Sequence, residues 1–201
     1  SEGGPMYTRE FIASLKPFDF IRFLDWTRTN QSVVSSWSER IPSDRFGDGT
    51  FFVSYEEMIA LANETGDDIW LPVPALADDD YLRRLAALVR RDLDPGLKVY
   101  VEYSNETWNY YFSAYNQVLA MAQGDPRVTA TDPFQRVAQE SALQAARVAR
   151  IFYDEFGADS DRVLPVFSGF TLRPDFLSTG LSAVARVFGD PSKIFKATAI
   201  A

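Results

Sequence analysis

The side chains best suited to chemistry lie in residues 99–109, VYVEYSNETWN. This pattern predicts a strand that ends near Ser104, with Asn105 and Glu106 directly after it. In parallel α/β folds, ligands bind at the carboxyl ends of the strands. A glutamate at such an end can protonate the leaving-group oxygen of a glycosidic bond, while an amide beside it hydrogen-bonds a sugar hydroxyl. Trp108 adds a flat ring on which a pyranose can stack.

The same residues also have a purely structural interpretation. Glu106 would lie at the start of a helix predicted over residues 107–123, where its charge favours the helix dipole, and Asn105 would be the N-cap. Glu102 faces the same side of the strand but lies about 13 Å deeper by strand rise, too far to be a catalytic partner. A buried glutamate needs a cation, and Arg22 is the candidate.

The composition removes several classes of function. The chain contains no histidine and no cysteine. This excludes Ser-His-Asp and Cys-His triads, zinc fingers, iron–sulfur clusters and disulfide bridges. The lack of cysteine suits reducing and oxidising compartments alike, so the localisation stays open, with an extracellular or secreted protein favoured.

The net charge of the chain excludes further classes of binding partner. The chain has 28 acidic and 20 basic residues, a net charge of −8, which argues against binding to nucleic acid or to anionic membranes. No apolar run approaches the length that a bilayer requires, so membrane insertion is not expected. The acidic residues 78–80 lack the spacing of a calcium loop and are interpreted as a helix cap, and we predict no metal site and no cofactor.

Strands and helices alternate along the whole chain. Apolar runs predict strands over residues 18–25, 69–74, 97–104, 162–168 and 194–201. Stripes of helical spacing predict helices over residues 8–16, 54–66, 81–93, 107–123, 134–156 and 181–188. This alternation is typical of an α/β fold with a parallel sheet. Because no linker or repeat interrupts residues 1–201, we predict a single domain.

Two segments carry a resemblance to a known family. Asn105-Glu106 at the end of a strand resembles the acid/base motif of the clan A glycoside hydrolases, retaining (β/α)8-barrel enzymes that include many cellulases. Residues 18–26, FDFIRFLDW, resemble the second strand of that clan, whose arginine would be Arg22 here. The strings RFLDW and EYSNETWN are also similar to a bacterial group of cellulose-binding or cellulase-like barrel proteins.

This resemblance implies a fold and a reaction. The fold would be a (β/α)8 TIM-type barrel, incomplete in this chain, which would run from helix 1 to strand 6. The reaction would be hydrolysis of a β-linked polysaccharide or oligosaccharide by retaining double displacement, with Glu106 as acid/base and Asn105 on the sugar 2-hydroxyl. Arg22 would organise the nucleophile, which the clan carries on its seventh strand and which further segments of a longer chain would supply. No cofactor is implied.

Other residues at the same rim are expected to bind the sugar. Asp25 and Trp26 end the first predicted strand, and Asn109 follows Trp108. We expect Trp26 and Trp108 to line a cleft, with Asp25 and Asn109 available to sugar hydroxyls. For Asp25, a salt bridge to a loop arginine is an alternative.

Two further interpretations remain open. A non-catalytic carbohydrate-binding or structural module of a larger assembly is favoured by the missing nucleophile strand and by the lack of the clan's active-site histidines. An open α/β domain that binds another small ligand is the third possibility. Trp70, inside the apolar run IWLPVP, is expected in the core rather than at a site.

Overall fold

The computed structural model describes residues 7–43 and 52–200, in which helices and strands alternate. The α-helices in this part of the chain are α1 Arg9–Leu15, α2 Tyr55–Thr65, α3 Asp79–Asp92, α4 Ser113–Gly124, α5 Pro133–Phe156 and α6 Asp175–Phe188. The strands are β1 Phe20–Arg22, β2 Asp68–Val73, β3 Val99–Tyr103, β4 Val163–Gly169 and β5 Ala197–Ile200. The α/β class expected from the alternating pattern is therefore present.

The five strands form one sheet whose order follows the chain, β1-β2-β3-β4-β5, and every neighbouring pair is parallel. In the ladder, Ile69 is aligned with Ile21 on one side and with Val99 on the other. The sheet curls into a half-barrel. Because all strands are parallel, their carboxyl ends meet along one edge, where β1, β2, β3 and β4 bring together the residues described below.

The eight-stranded TIM-type barrel implied by the resemblance is wrong for the part of the chain that the structure describes. Closing such a barrel takes eight strands, whose twist and stagger together complete the circle. Five strands cover only part of that circle, so β1 and β5 remain as the two edges of an open sheet. The chain therefore folds here as a curled half-barrel.

Two elements differ from the sequence-based boundaries for local reasons. The first strand is only three residues long, because the chain turns after it, with the Arg28 N–H donating to the Asp25 carbonyl and Arg28 at a φ of 55°. The fourth helix begins at Ser113 rather than at residue 107. Residues 106–112 instead form consecutive turns, which are described with the site.

The two faces of the sheet have different characters. Alternate side chains such as Ile69, Leu71, Val99 and Val101 are buried on the face that the helices cover, with α5 as the longest packing partner of β3 and β4. On the other face, the rings of Phe20, Trp70 and Tyr100 lie 5.6–5.9 Å apart and are partly exposed. This second face leads to the candidate site.

Helix caps fix two of the loops. Asp78 accepts a hydrogen bond from the Tyr81 backbone N–H at 2.7 Å at the start of α3, which confirms the cap interpretation of residues 78–80. Ser54 and Glu57 form a reciprocal capping box at the start of α2, as S-x-x-E before an apolar run predicts.

Candidate functional site

A cavity of about 170 Å³ opens at the carboxyl ends of the strands. Its walls come from each strand of the sheet and from the loop that follows β3. The lining residues are Arg22, Trp70, Glu102, Asn105, Trp108, Ser168, Ala199 and Ile200. Three of the seven residues singled out from the sequence, Arg22, Asn105 and Trp108, therefore meet at one cavity.

Glu102 is the polar centre of this cavity and is only 1% exposed. Its Oε2 accepts hydrogen bonds from Arg22 Nη2 at 2.8 Å and from Trp70 Nε1 at 2.7 Å, and its Oε1 accepts one from the Ser168 hydroxyl. The predicted pairing of Arg22 with an inward Glu102 is thus confirmed. A buried carboxylate is tolerated only when its oxygens are satisfied in this way.

Arg22 also connects Glu102 to Asn105. Its Nη2 donates to Asn105 Oδ1 at 2.9 Å, and Asn105 Nδ2 donates to Asn30 Oδ1 at 2.9 Å. The buried amide of Asn105 is therefore held at both its oxygen and its nitrogen. An amide nitrogen carries two N–H groups, and Asn30 accepts a hydrogen bond from one of those of Asn105.

The backbone changes direction abruptly after β3. Ser104 and Glu106 adopt left-handed conformations, with φ values of 56° and 43°. Such a conformation costs an L-residue about 1–2 kcal/mol, and strain of this kind concentrates at functional sites. Because the chain is no longer extended here, the strand-rise distance between Glu102 and Glu106 does not apply.

Glu106 is half-buried and is not among the residues that line the cavity, although Asn105 before it and Trp108 after it are. Its Oε2 accepts a hydrogen bond from Asn109 Nδ2 at 3.1 Å, and the Asn109 backbone N–H donates to the Glu106 carbonyl at 2.8 Å. Glu106 does not begin a helix, because α4 starts at Ser113. The helix-dipole interpretation of Glu106 is therefore wrong, and Asn105 is not an N-cap.

The two tryptophans expected to line a cleft have different surroundings. Trp108 is buried on the cavity wall, where its ring stacks on Phe170 with centroids 5.9 Å apart and meets the edge of Phe176 at 5.8 Å. Trp26 is absent from the lining and packs against Phe23 at 4.9 Å and Tyr7 at 6.3 Å.

Asp25 is likewise placed away from the cavity. Its side chain is exposed, and no ion pair of Asp25 is present among the described residues. Strand β1 ends at Arg22, so the turn that follows carries both Asp25 and Trp26 off the line of the strand.

Sequence reasoning missed two residues that line the cavity, Trp70 and Ser168, and one that binds Asn105 from outside the lining, Asn30. Trp70 was assigned to the core, yet its indole N–H binds Glu102. Its partner in the ladder is Arg22, so the alternation of side chains along paired strands would have placed the two on one face. Ser168 and Asn30 carry no comparable signal, because a serine at a strand end or an asparagine in a loop is common.

Support beneath the loop comes from α5. The Ser141 hydroxyl donates to Thr107 Oγ1 at 2.8 Å, and both residues are buried. Glu140 directly precedes Ser141 in α5, and the pKa of Tyr103, the last residue of β3, is raised by burial and then by the charge of Glu140. The segment that carries Asn105 and Glu106 thus rests on a fixed helix.

Comparisons of the chain with protein-family models, with curated proteins and with solved structures find no match. The resemblance to the clan A glycoside hydrolases therefore stays a prediction. Within the described ranges, no helix has both the length and the apolar character needed to cross a bilayer.

Proposed function

We propose that this chain carries the acid/base residue of a glycoside hydrolase acting on β-linked polysaccharide or oligosaccharide, and that this residue is Glu106. The observation that supports the proposal is the left-handed conformation of Glu106 directly beyond the carboxyl end of β3. A strained backbone that presents a carboxylate beside a cavity is typical of a catalytic loop. The adjacent Asn105, fixed by Arg22 and Asn30, is a prepared hydrogen-bonding group for the sugar.

Glu106 would act in both halves of a retaining reaction. As an acid, it gives its proton to the glycosidic oxygen while the bond from that oxygen to the anomeric carbon breaks. As a carboxylate, it then removes a proton from the water whose oxygen attacks the anomeric carbon and releases the sugar from the nucleophile. The nucleophile must be a second carboxyl group about 5–5.5 Å away. The clan that the sequence resembles carries it on a seventh strand, so the proposal assigns this chain the acid/base role only.

The test compares turnover by the protein that includes the nucleophile with turnover by its Glu106→Gln variant, in which the side chain keeps its size and loses its proton chemistry. Loss of general acid–base catalysis should lower hydrolysis of an unactivated β-linked oligosaccharide by roughly 10²–10⁴-fold. An aryl glycoside with a good leaving group needs no acid, so its first step should survive. Azide, which needs no base, should then accelerate release and yield a glycosyl azide.

Glu64→Gln, on the exposed side of α2, is the matched control and should leave turnover unchanged. Full turnover by Glu106→Gln on the unactivated oligosaccharide would remove Glu106 from the mechanism.

A second candidate is a non-catalytic carbohydrate-binding module. The observation that favours it is that the carboxylate on the cavity wall in the described structure, Glu102, already has three hydrogen-bond donors. Calorimetry with cellohexaose separates the candidates. The module would bind with wild-type affinity in Glu106→Gln and release no reducing sugar in either form, whereas the hydrolase would bind in both and release sugar only in wild type.

A further inference from the structure

Two neighbouring tyrosines are unusually exposed on the loop that carries Glu106. The side chains of Tyr110 and Tyr111 are 66% and 77% exposed. Their ring centroids lie 4.4 Å apart and their planes are tilted by 35°. Large rings in water leave apolar surface unburied, so a contiguous pair of them indicates a binding surface.

Hydrogen bonds tie this pair to the candidate catalytic residue. The Tyr111 backbone N–H donates to Asn109 Oδ1 at 3.1 Å, and Asn109 Nδ2 donates to Glu106 Oε2 at 3.1 Å. A single asparagine side chain thus joins the tyrosine pair to the carboxylate. The pair begins two residues after Trp108, whose ring lines the cavity.

Hydrogen bonds fix the backbone of the loop that carries the two rings. The Asn109 N–H donates to the Glu106 carbonyl at 2.8 Å, and the Phe112 N–H donates to the Asn109 carbonyl at 3.0 Å, which makes two consecutive turns. At the end of the loop, Ser113 is bound to Asn30 and Gln31. A surface that is already ordered loses little entropy on binding.

The chemistry of the surroundings selects the occupant. A tyrosine ring stacks on the apolar face of a pyranose, and its hydroxyl can reach a sugar hydroxyl. The chain has a net charge of −8, and the one arginine at the cavity, Arg22, is already paired with Glu102 in the described structure. An anionic polymer would be repelled at such a site, whereas a neutral glycan would not.

We propose that Tyr110 and Tyr111 form a stacking platform for an uncharged β-linked glycan chain that extends from the cavity beyond Trp108. This rests on the proposed carbohydrate function and adds the ligand's length and charge. One pyranose stacks on one ring at a time, so a ligand that uses the cavity and the platform together has more than one sugar and is an oligosaccharide or a polysaccharide.

The test compares variants by affinity electrophoresis in four neutral β-linked polymers: hydroxyethylcellulose, mixed-linkage β-glucan, glucomannan and xylan. Polygalacturonate is the anionic polymer for comparison. Because both side chains are exposed, we expect Tyr110→Ala and Tyr111→Ala to fold. Each should weaken binding to the retained neutral polymer about tenfold, the loss expected for one stacked ring. Tyr110→Phe and Tyr111→Phe should bind nearly as well as wild type.

Phe18→Ala is the matched control, because Phe18 is 61% exposed but precedes the amino end of β1, whereas the cavity lies at the carboxyl ends of the strands. It should bind as wild type does. Oligosaccharides of the retained polymer separate the two proposals: the alanine variants should lose affinity for the hexasaccharide and keep it for the disaccharide.

The outcomes distinguish the platform from the site. If wild type binds a neutral polymer and the alanine variants bind equally well, the platform is refuted and the carbohydrate site stands. Retention by polygalacturonate alone refutes the neutral ligand. If wild type binds none of the five polymers, the carbohydrate function fails and the platform fails with it.

Discussion

The strained backbone of the loop after β3 predicts how substitutions of Ser104 change the stability of the protein. This residue is buried, has a φ of 56°, and its hydroxyl has no hydrogen-bond partner among the described residues. Ser104 therefore lowers the stability of the fold in two separate ways, through its left-handed backbone and through its unsatisfied hydroxyl. Ser104→Ala removes only the hydroxyl, whereas Ser104→Gly removes the hydroxyl and relieves the backbone.

The magnitudes follow from these two costs. An unsatisfied buried polar group costs about 1–3 kcal/mol, so Ser104→Ala should raise the free energy of unfolding by about 1 kcal/mol, the low end. Where φ is positive, glycine is better than alanine by about 1 kcal/mol, the reverse of their order in a regular strand or helix. Ser104→Gly should then be about 2 kcal/mol more stable than wild type.

Urea denaturation followed by circular dichroism measures these differences. In a chain of 201 residues, 1 kcal/mol also moves the melting temperature by about 2–4 °C. The decisive comparison is between the two variants, because the hydroxyl is absent from both. If the alanine variant is as stable as the glycine variant or more stable, the backbone at Ser104 is not strained and the argument from Glu106 weakens with it.

Two further predictions concern buried carboxyl groups. Arg22→Met should lower the free energy of unfolding by about 3 kcal/mol, the low end for a broken buried pair because Arg22 is about a third exposed. Adding Glu102→Gln should recover much of this loss. Equal stability of the single and double variants in urea denaturation would contradict the pairing. Burial raises the pKa of Glu140, although Gln144 donates a hydrogen bond to its carboxylate. The folded state therefore binds the Glu140 proton more tightly than the unfolded state does. Its contribution to stability is therefore present below the unfolded pKa near 4.3 and is lost as the pH rises through the folded pKa. Glu140→Gln should match wild type at pH 4 and exceed it at pH 7, and a difference that does not grow with pH would refute this.

The sequence predicted best what depends on hydrophobic patterning. Five apolar runs separated by amphipathic helices became five parallel strands in chain order, because the strands of a parallel sheet that helices cover bury apolar side chains. Barrel closure was mispredicted, since it depends on how many strands join and how they stagger, and no local run of residues carries that information.

Within the site, too, some contacts could be predicted from the sequence and others could not. The pair of Arg22 and Glu102 could be inferred because a buried charge demands an opposite one. Trp70 was misassigned because an indole in an apolar run has the same pattern whether its N–H is bonded or not. The start of α4 was misplaced by six residues, because Asn109 forms turns on both of its sides and so delays the helix.

The chemical division between Glu102 and Glu106 follows from where β3 ends. The two glutamates are four residues apart, so in a continuous strand they would lie on one face with similar surroundings. The strand stops at Tyr103, and Ser104 turns the chain into a left-handed conformation. Glu102 is left inside, with its oxygens bound by Arg22, Trp70 and Ser168, while Glu106 emerges with a single amide partner. A carboxyl group must exchange its proton with a ligand to act as acid and base, so only the glutamate outside the strand has oxygens free for that reaction.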